Sequence, residues 1–218
     1  MRQICLSIFF LALISCKKEL SNAEQTRQDN TSLPLADTSR INDTTIFFDI
    51  VIDGQRHLQI QPLNNYSVYW TGVVPYTSGS YGLYEQGITG EANQGLVLIR
   101  GNISIDVNDT SILLKNKRIF NGFGAGVYPY TQNPNNSSGV QIHWIGPTGK
   151  TWATNLGNAN QSGSTFQIMN RANLDTSYNA TGITHGIYIR CAFNCMLYDN
   201  TGKSIELKNG RLGISVWL

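Results

Sequence analysis

The stretch that decides the fold is IYIRCAFNCMLY, residues 187–198, in which apolar residues occupy every second position. One set of alternate positions holds Ile187, Ile189, Cys191, Phe193, Cys195 and Leu197. The other set mixes tyrosine and methionine with arginine, alanine and asparagine. A period of two residues is typical of a β-strand with one face against the core. We therefore predict a strand here, with the first set buried.

Cys191 and Cys195 lie on the same face of this predicted strand. Four residues of strand separate their Cα atoms by ~13 Å, whereas the Cα atoms of a disulfide lie within ~7 Å of each other. A shared metal ion needs close sulfurs and two further ligands, and the neighbouring sequence offers neither. The pair is therefore predicted to be two buried free thiols that act as small apolar side chains.

The rest of the chain has the composition of an all-β protein. Its 218 residues include 21 glycines and 10 tyrosines, and short apolar runs are separated by turn residues. Further strands are predicted at residues 66–72, 96–100, 103–107, 126–130, 140–145, 151–154 and 165–169. Residues 111–117 fit either a strand or a single helical turn. About ten antiparallel strands in total predict a β-sandwich or a flattened barrel.

Asp53-Gly54 stands between two alternating runs and predicts a hairpin turn. A two-residue loop would pair Phe48 with Gln59 and mix apolar with polar side chains on both faces. A three-residue loop, residues 53–55, pairs Ile50 with Leu58 and gives one largely apolar face. We therefore expect the three-residue loop.

Asn209-Gly210 predicts a second hairpin near the end of the chain. Here a two-residue turn pairs Leu207 with Leu212 on the core side and likewise Ile205 with Ile214. The charged Lys208 and Arg211 then share the solvent side.

The charges argue against a nucleic-acid-binding surface. The chain has 16 Lys and Arg against 14 Asp and Glu, a net charge of +2. The densest basic group, Lys115 with Lys117 and Arg118, is too small for a basic stripe and is read as a solvated face.

The N-terminus predicts a lipoprotein. Arg2 precedes an apolar run, residues 4–14, that is shorter than the ~20 residues needed to span a bilayer, so residues 1–15 read as a signal peptide. The run ends in Leu13-Ile14-Ser15-Cys16, which resembles the bacterial lipobox. The resemblance implies cleavage before Cys16, lipid attachment to that residue and contact with a membrane through the lipid. Residues 16–45, poor in apolar side chains, are expected to be the lipidated cysteine and a disordered linker, and residues 46–218 a single all-β domain.

The sequence contains no recognisable catalytic motif. It lacks His-Glu-x-x-His, Gly-x-Ser-x-Gly and a phosphate-binding loop, and the glycine-rich residues 122–126 read as a turn between strands. The three histidines, at 57, 143 and 185, are widely separated. No catalytic residue, cofactor or metal ligand is therefore predicted.

Four aromatic residues are candidates for ligand binding. Trp144 and Trp152 flank a short turn and could form a platform or a stabilising cross-strand pair. Tyr188 and Trp217 lie on the face of the sheet opposite the predicted core face. Since these aromatic residues make that second face apolar, it must be covered by another part of the chain, by a ligand or by a partner.

The chain resembles the small lipoproteins of unknown function that are common in Bacteroidota. The resemblance covers residues 46–218 and rests on turn signatures, which are Ile52-Asp53-Gly54, Gly124-x-Gly126-x-Tyr128-Pro129, Leu197-Tyr198-Asp199 with Gly202, and Asn209-Gly210-Arg211-Leu212. It implies an outer-membrane location, on the periplasmic or the surface side. We expect a non-enzymatic binding or structural module for a glycan or an envelope protein. The alternative is a glycan hydrolase with a carboxylate pair, drawn from Asp49, Glu85, Glu91, Asp106 and Asp175.

Overall fold

The computed structural model describes residues 41–61, 67–75, 81–90, 94–104, 112–134, 137–179 and 182–217. The predicted signal peptide, the lipidation site Cys16 and the predicted linker as far as residue 40 lie outside these residues.

Eleven strands run through the described part of the chain. They are β1 (Phe47–Ile52), β2 (Gln55–Ile60), β3 (Ser67–Pro75), β4 (Tyr81–Thr89), β5 (Gly95–Ser104), β6 (Gly126–Val127), β7 (Gly139–Ile145), β8 (Thr151–Ala153), β9 (Thr165–Asn179), β10 (Gly182–Tyr198) and β11 (Ser204–Trp217). A helix, α1 (Ile112–Asn121), follows β5 in the chain, where the sequence left a strand or a single helical turn open.

These strands form one antiparallel sheet in the order β2-β1-β11-β10-β8-β7-β5-β4-β3, and β9 pairs with β10 and with β6. Strand makes up 62% of the structure, and the sheet curls into a half-barrel. The prediction of an antiparallel all-β fold of about ten strands is therefore confirmed, in the form of a single curled sheet.

The curl brings the first hairpin against β7. The Phe48 ring meets the Trp144 ring edge-on with centroids 5.9 Å apart, and the His57 ring lies 4.9 Å from the same indole. Apolar side chains from the inner faces of β1, β5, β7, β10 and β11 fill the space between, and burial of this surface is the main stabilising contribution.

The predicted alternation of β10 is confirmed. All six residues of its first set are buried, Ile187, Ile189, Cys191, Phe193, Cys195 and Leu197. Both cysteines are free. Burial raises the pKa of each thiol, to about 12 at Cys195, so both behave as small apolar core residues.

The three-residue loop expected after β1 is wrong. Ile52 pairs with Gln55, so the loop is the two-residue Asp53-Gly54, and both residues have positive φ, 50° and 76°. That conformation matches the twist of the flanking strands. The polar side chains that this register places among apolar ones have partners. His57 packs on Trp144, and Arg56 pairs with Asp49 across the hairpin.

The hairpin expected at Asn209-Gly210 is also wrong, because β11 runs straight through it. Asn209 takes the positive φ of 51° in a β-bulge that interrupts the pairing with both neighbours. On β1, two residues of β11 oppose the single residue Ile50.

The bulge changes which residues of β11 face the core. Leu207 is buried, and strict alternation from it would turn Asn209 and Arg211 inward. The extra residue shifts the period, so that Leu212, Ile214 and Val216 are buried instead. The spacing between Leu207 and Leu212 is therefore compatible with a hairpin turn and with a bulge, and the structure has the bulge.

Gly210→Ala is expected to destabilise the domain by ~1–3 kcal/mol, because a Cβ at this position would lie 2.6 Å from the buried Phe193 ring. Urea unfolding followed by Trp fluorescence measures the change. Gly124→Ala is the control, since its Cβ would come no closer than 3.5 Å to another group. Equal stability of the two variants would contradict this account of the bulge.

Candidate functional site

Trp144 and Trp152 form a cross-strand pair between β7 and β8. Trp144 is only 2% exposed and belongs to the core. Trp152 is half-buried against the core, and the Lys150 ammonium lies 4.1 Å from the centre of its ring. The stabilising pair is therefore the arrangement present, and Trp144 offers no ring face to solvent.

Tyr188 and Trp217 are likewise accounted for by the chain itself. Tyr188 is buried, and its hydroxyl donates to the carbonyl of Thr45, 2.5 Å away. The half-buried Trp217 ring lies over Gly186 of the neighbouring strand, where a Cβ would come within 2.6 Å of the ring. Of the alternatives that the sequence left open, the structure shows the cross-strand pair at Trp144 and cover by another segment of the chain at Tyr188.

A groove lies on the outer face of the sheet, opposite the core. It consists of two adjoining clefts of about 800 Å³ and about 780 Å³ that share Ala192 and Arg211. Its floor is low because Ala192 brings only a methyl group to it, and the backbone of Gly210 lies beside that residue. Arginines from three strands line it, Arg56 of β2, Arg190 of β10 and Arg211 of β11. We call it the arginine groove.

Asp49 holds two of these arginines in place. Arg56 donates to both carboxylate oxygens, with Nε–Oδ1 2.7 Å and Nη2–Oδ2 3.0 Å, and Arg211 donates to Oδ2. The carboxylate is 4% exposed. Burial alone would raise its pKa, but the hydrogen bonds and charges of the two arginines outweigh burial and leave the pKa below its ordinary value.

Arg190 is held by the segment that precedes β1. Its Nη2 donates to the carbonyl of Asn42 and lies 3.4 Å from Oδ1 of Asp43. Asp43 is 98% exposed, so this ion pair is weak.

The exposed apolar side chains fall in the same groove. Among the residues whose side chains the structure describes, the large apolar ones exposed to solvent are Val127, at 72%, and Met169, at 56%. Val127 lines one cleft and Met169 the other. Arginines next to exposed apolar groups in one groove are suited to binding a partner.

Among the residues that the structure describes, the carboxylates named for a hydrolase form no catalytic pair. Asp49 lies in the groove but is bound to arginines, while Glu85 lies on β4. Glu91, Asp106 and the side chain of Asp175 lie outside the described residues. The described part of the chain holds no group of three or more His, Cys, Asp or Glu side chains that could bind a metal ion.

A second ion pair stabilises a turn and lies apart from the groove. Asp199 accepts hydrogen bonds from the backbone of Thr201 and Lys203, and its Oδ2 lies 2.5 Å from the Lys150 ammonium. The bond from Lys150 is the chief reason that the pKa of Asp199 is lowered. This cluster joins the β7–β8 turn to the β10–β11 turn.

Comparison of the chain with protein-family models, with curated proteins and with solved structures finds no match in any of the three. Within the described residues, no helix combines the length and the apolar character required to cross a bilayer.

Sequence reasoning missed the arginine groove. Asp49 could be placed opposite the core face from the alternation of residues 47–52, and a lone acid among apolar residues indicates a partner. Its partner Arg211 lies 162 positions away, and only the pairing of β1 with β11 brings the two together.

Asp49→Asn is expected to lower the free energy of unfolding by ~1–3 kcal/mol at neutral pH, because the two arginines lose their charged acceptor. Since the folded state lowers the pKa of Asp49, its contribution is present above about pH 4 and is lost as pH falls through the folded-state pKa. The gap between wild type and variant should therefore narrow in acid.

Urea unfolding across a pH series measures this gap. Asp53→Asn is the matched control, because Asp53 is an exposed turn residue and asparagine tolerates its positive φ. A gap that stays constant across the pH series would contradict the role of the Asp49 charge, and coincident curves for wild type and Asp49→Asn would rule out a stabilising role for its ion pairs.

Proposed function

We propose that the protein is a lipid-anchored β-domain of the bacterial cell envelope and a non-enzymatic binding module whose binding surface is the arginine groove. In this proposal Cys16 carries the lipid and holds the domain at the outer membrane, on the periplasmic or the surface side. The lipobox-like run Leu13-Ile14-Ser15-Cys16 and the resemblance to small Bacteroidota lipoproteins support it.

One observation carries the binding role. The exposed large apolar side chains among the described residues, Val127 and Met169, both line a groove that also presents arginines. Apolar surface gathered in a concave, partly charged site is the common pattern of a binding surface.

The state of Asp49 argues against its use as the general acid of a hydrolase. A glycosidase needs a carboxyl group that holds a proton near neutral pH and donates it to the leaving group. The two arginines keep the pKa of Asp49 low, so the carboxylate is ionised and both of its oxygens are occupied.

Cys16→Ala is expected to abolish incorporation of labelled fatty acid and to move the protein from the membrane to the soluble fraction. Each buried methylene of an attached chain contributes ~0.8 kcal/mol of membrane affinity, so loss of several chains removes the anchor. Cys5→Ala is the matched control, because Cys5 lies inside the predicted signal peptide. Labelling of the Cys16→Ala variant would contradict the proposed anchor.

Ala192→Trp is expected to abolish retention of envelope components by the immobilised protein, because an indole on the floor would fill the groove. Ala192 points away from the core, so the melting temperature should stay nearly unchanged. Glu206→Trp places the same indole on an exposed site of β11 outside the groove and should bind as wild type does. Equal retention by the two variants would show that the groove is not the binding surface.

A further inference from the structure

Resting on this proposed function, we infer that the occupant of the arginine groove is an extended protein segment that carries an acidic residue together with aliphatic residues. The acidic side chain binds Arg211, and the aliphatic side chains cover Val127 and Met169.

Arg211 is built to receive a carboxylate. Its side chain is 50% exposed, and the structure gives it one hydrogen-bonded partner, Asp49, through Nη2. Its remaining N–H groups are available to a ligand, and the fork of a guanidinium matches the two oxygens of a carboxylate. Because Asp49 already orders the side chain, binding costs less conformational entropy.

The charges of the groove select an anion. Three arginines line it together with one carboxylate, Asp49, whose oxygens both face arginines, and the exposed Asp43 lies 3.4 Å from Arg190. The groove therefore keeps an excess of positive charge that an acidic side chain neutralises.

The two apolar contacts lie on the same side of Arg211, Val127 on β6 and Met169 on β9, with β10 between them and β11. Val127 belongs to one cleft and Met169 to the other, and Arg211 lines both clefts. On β9, Met169 follows Gln167, the residue that pairs with Val127, by two positions. An extended segment that crosses the strands from β11 towards β9 and β6 therefore meets Arg211 with its acid and the two apolar groups with aliphatic side chains on one side of that acid.

The rest of the lining favours a peptide over a sugar. The exposed apolar groups are aliphatic or thioether and provide no aromatic face for a sugar ring. Gln167, Asn170 and Asn194 are exposed and carry amides that can donate to and accept from peptide groups. Alternating side chains of an extended segment then reach the groove.

The methionines provide a direct readout. The sequence has three, Met1, Met169 and Met196, so the protein labelled with [¹³C-methyl]methionine gives few NMR signals. Met169 lies in the groove, while Met196 lies outside both clefts and serves as an internal control. Met169→Leu and Met196→Leu assign the two signals.

The probe is a short synthetic peptide of alternating leucine and glutamate. It should shift the Met169 signal and leave the Met196 signal in place. The leucine–glutamine counterpart should bind about tenfold more weakly or worse, since it lacks the charge-assisted hydrogen bond to Arg211. Polygalacturonate, an acidic sugar polymer, should leave Met169 unshifted.

Arg211→Gln should weaken peptide binding about tenfold or more, again through loss of the charged pair. Lys208→Gln, an exposed lysine of the same strand outside the groove, is its control. Because Arg211 also holds Asp49, Val127→Ser is the second variant. It alters an exposed side chain, should fold as wild type does, and should weaken binding of the leucine–glutamate peptide.

An unshifted Met169 signal with the acidic peptide would overturn the inference, as would an equal response to polygalacturonate. A Met169 signal that changes when the protein alone is diluted would identify a second copy of the chain as the occupant and would also overturn it. Loss of retention by Ala192→Trp would leave the proposed function standing in each case. If Ala192→Trp instead retains envelope components as well as Glu206→Trp does, both the inference and the proposed function are contradicted.

Discussion

The close contact between the Phe193 ring and the backbone of Gly210 is the constraint on which the rest of this structure depends. It requires a residue without a side chain at 210, and it accompanies the bulge in which Asn209 takes a positive φ. The bulge reverses the alternation of β11. Leucines on both sides of it can therefore face the core, while Arg211 between them faces outward. A regular strand would bury that arginine or expose the apolar residues that follow it.

The outer face of the sheet follows from this reversal. Once Arg211 points outward it stands opposite Asp49 in the pairing of β1 with β11. Asp49 is thereby buried with its charge compensated from two directions, by Arg211 and by Arg56. The low floor and the ordered guanidiniums of the arginine groove thus share their origin with the core packing of β11. The proposed binding surface is therefore formed by the strands of the sheet.

The sequence predicts those features that depend on local alternation and misses those that depend on distant pairing. The two faces of β10 follow from a period of two over twelve residues, and the buried thiols follow from the faces. The strand β4 was missed because its inner face holds Gln86, whose amide oxygen accepts from Tyr84, 2.7 Å away. This buried polar pair interrupts the alternation of apolar and polar residues by which a strand is recognised in a sequence. Asn209-Gly210 was ambiguous because the conformations required by a turn and by a bulge are similar. The cover over Tyr188 comes from Thr45, 143 positions away, which no local pattern reveals.

Among the strands that the structure describes, β2 stands at the end of the order, and this position has a consequence for self-association. An end strand exposes unpaired backbone groups and invites pairing with a strand of another chain. Here that strand is six residues long, and it carries Arg56 and His57 next to each other. Short length and a charged side chain make such an edge a poor template for a further strand. The arginine that helps to hold Asp49 therefore also protects the sheet against edge-to-edge aggregation.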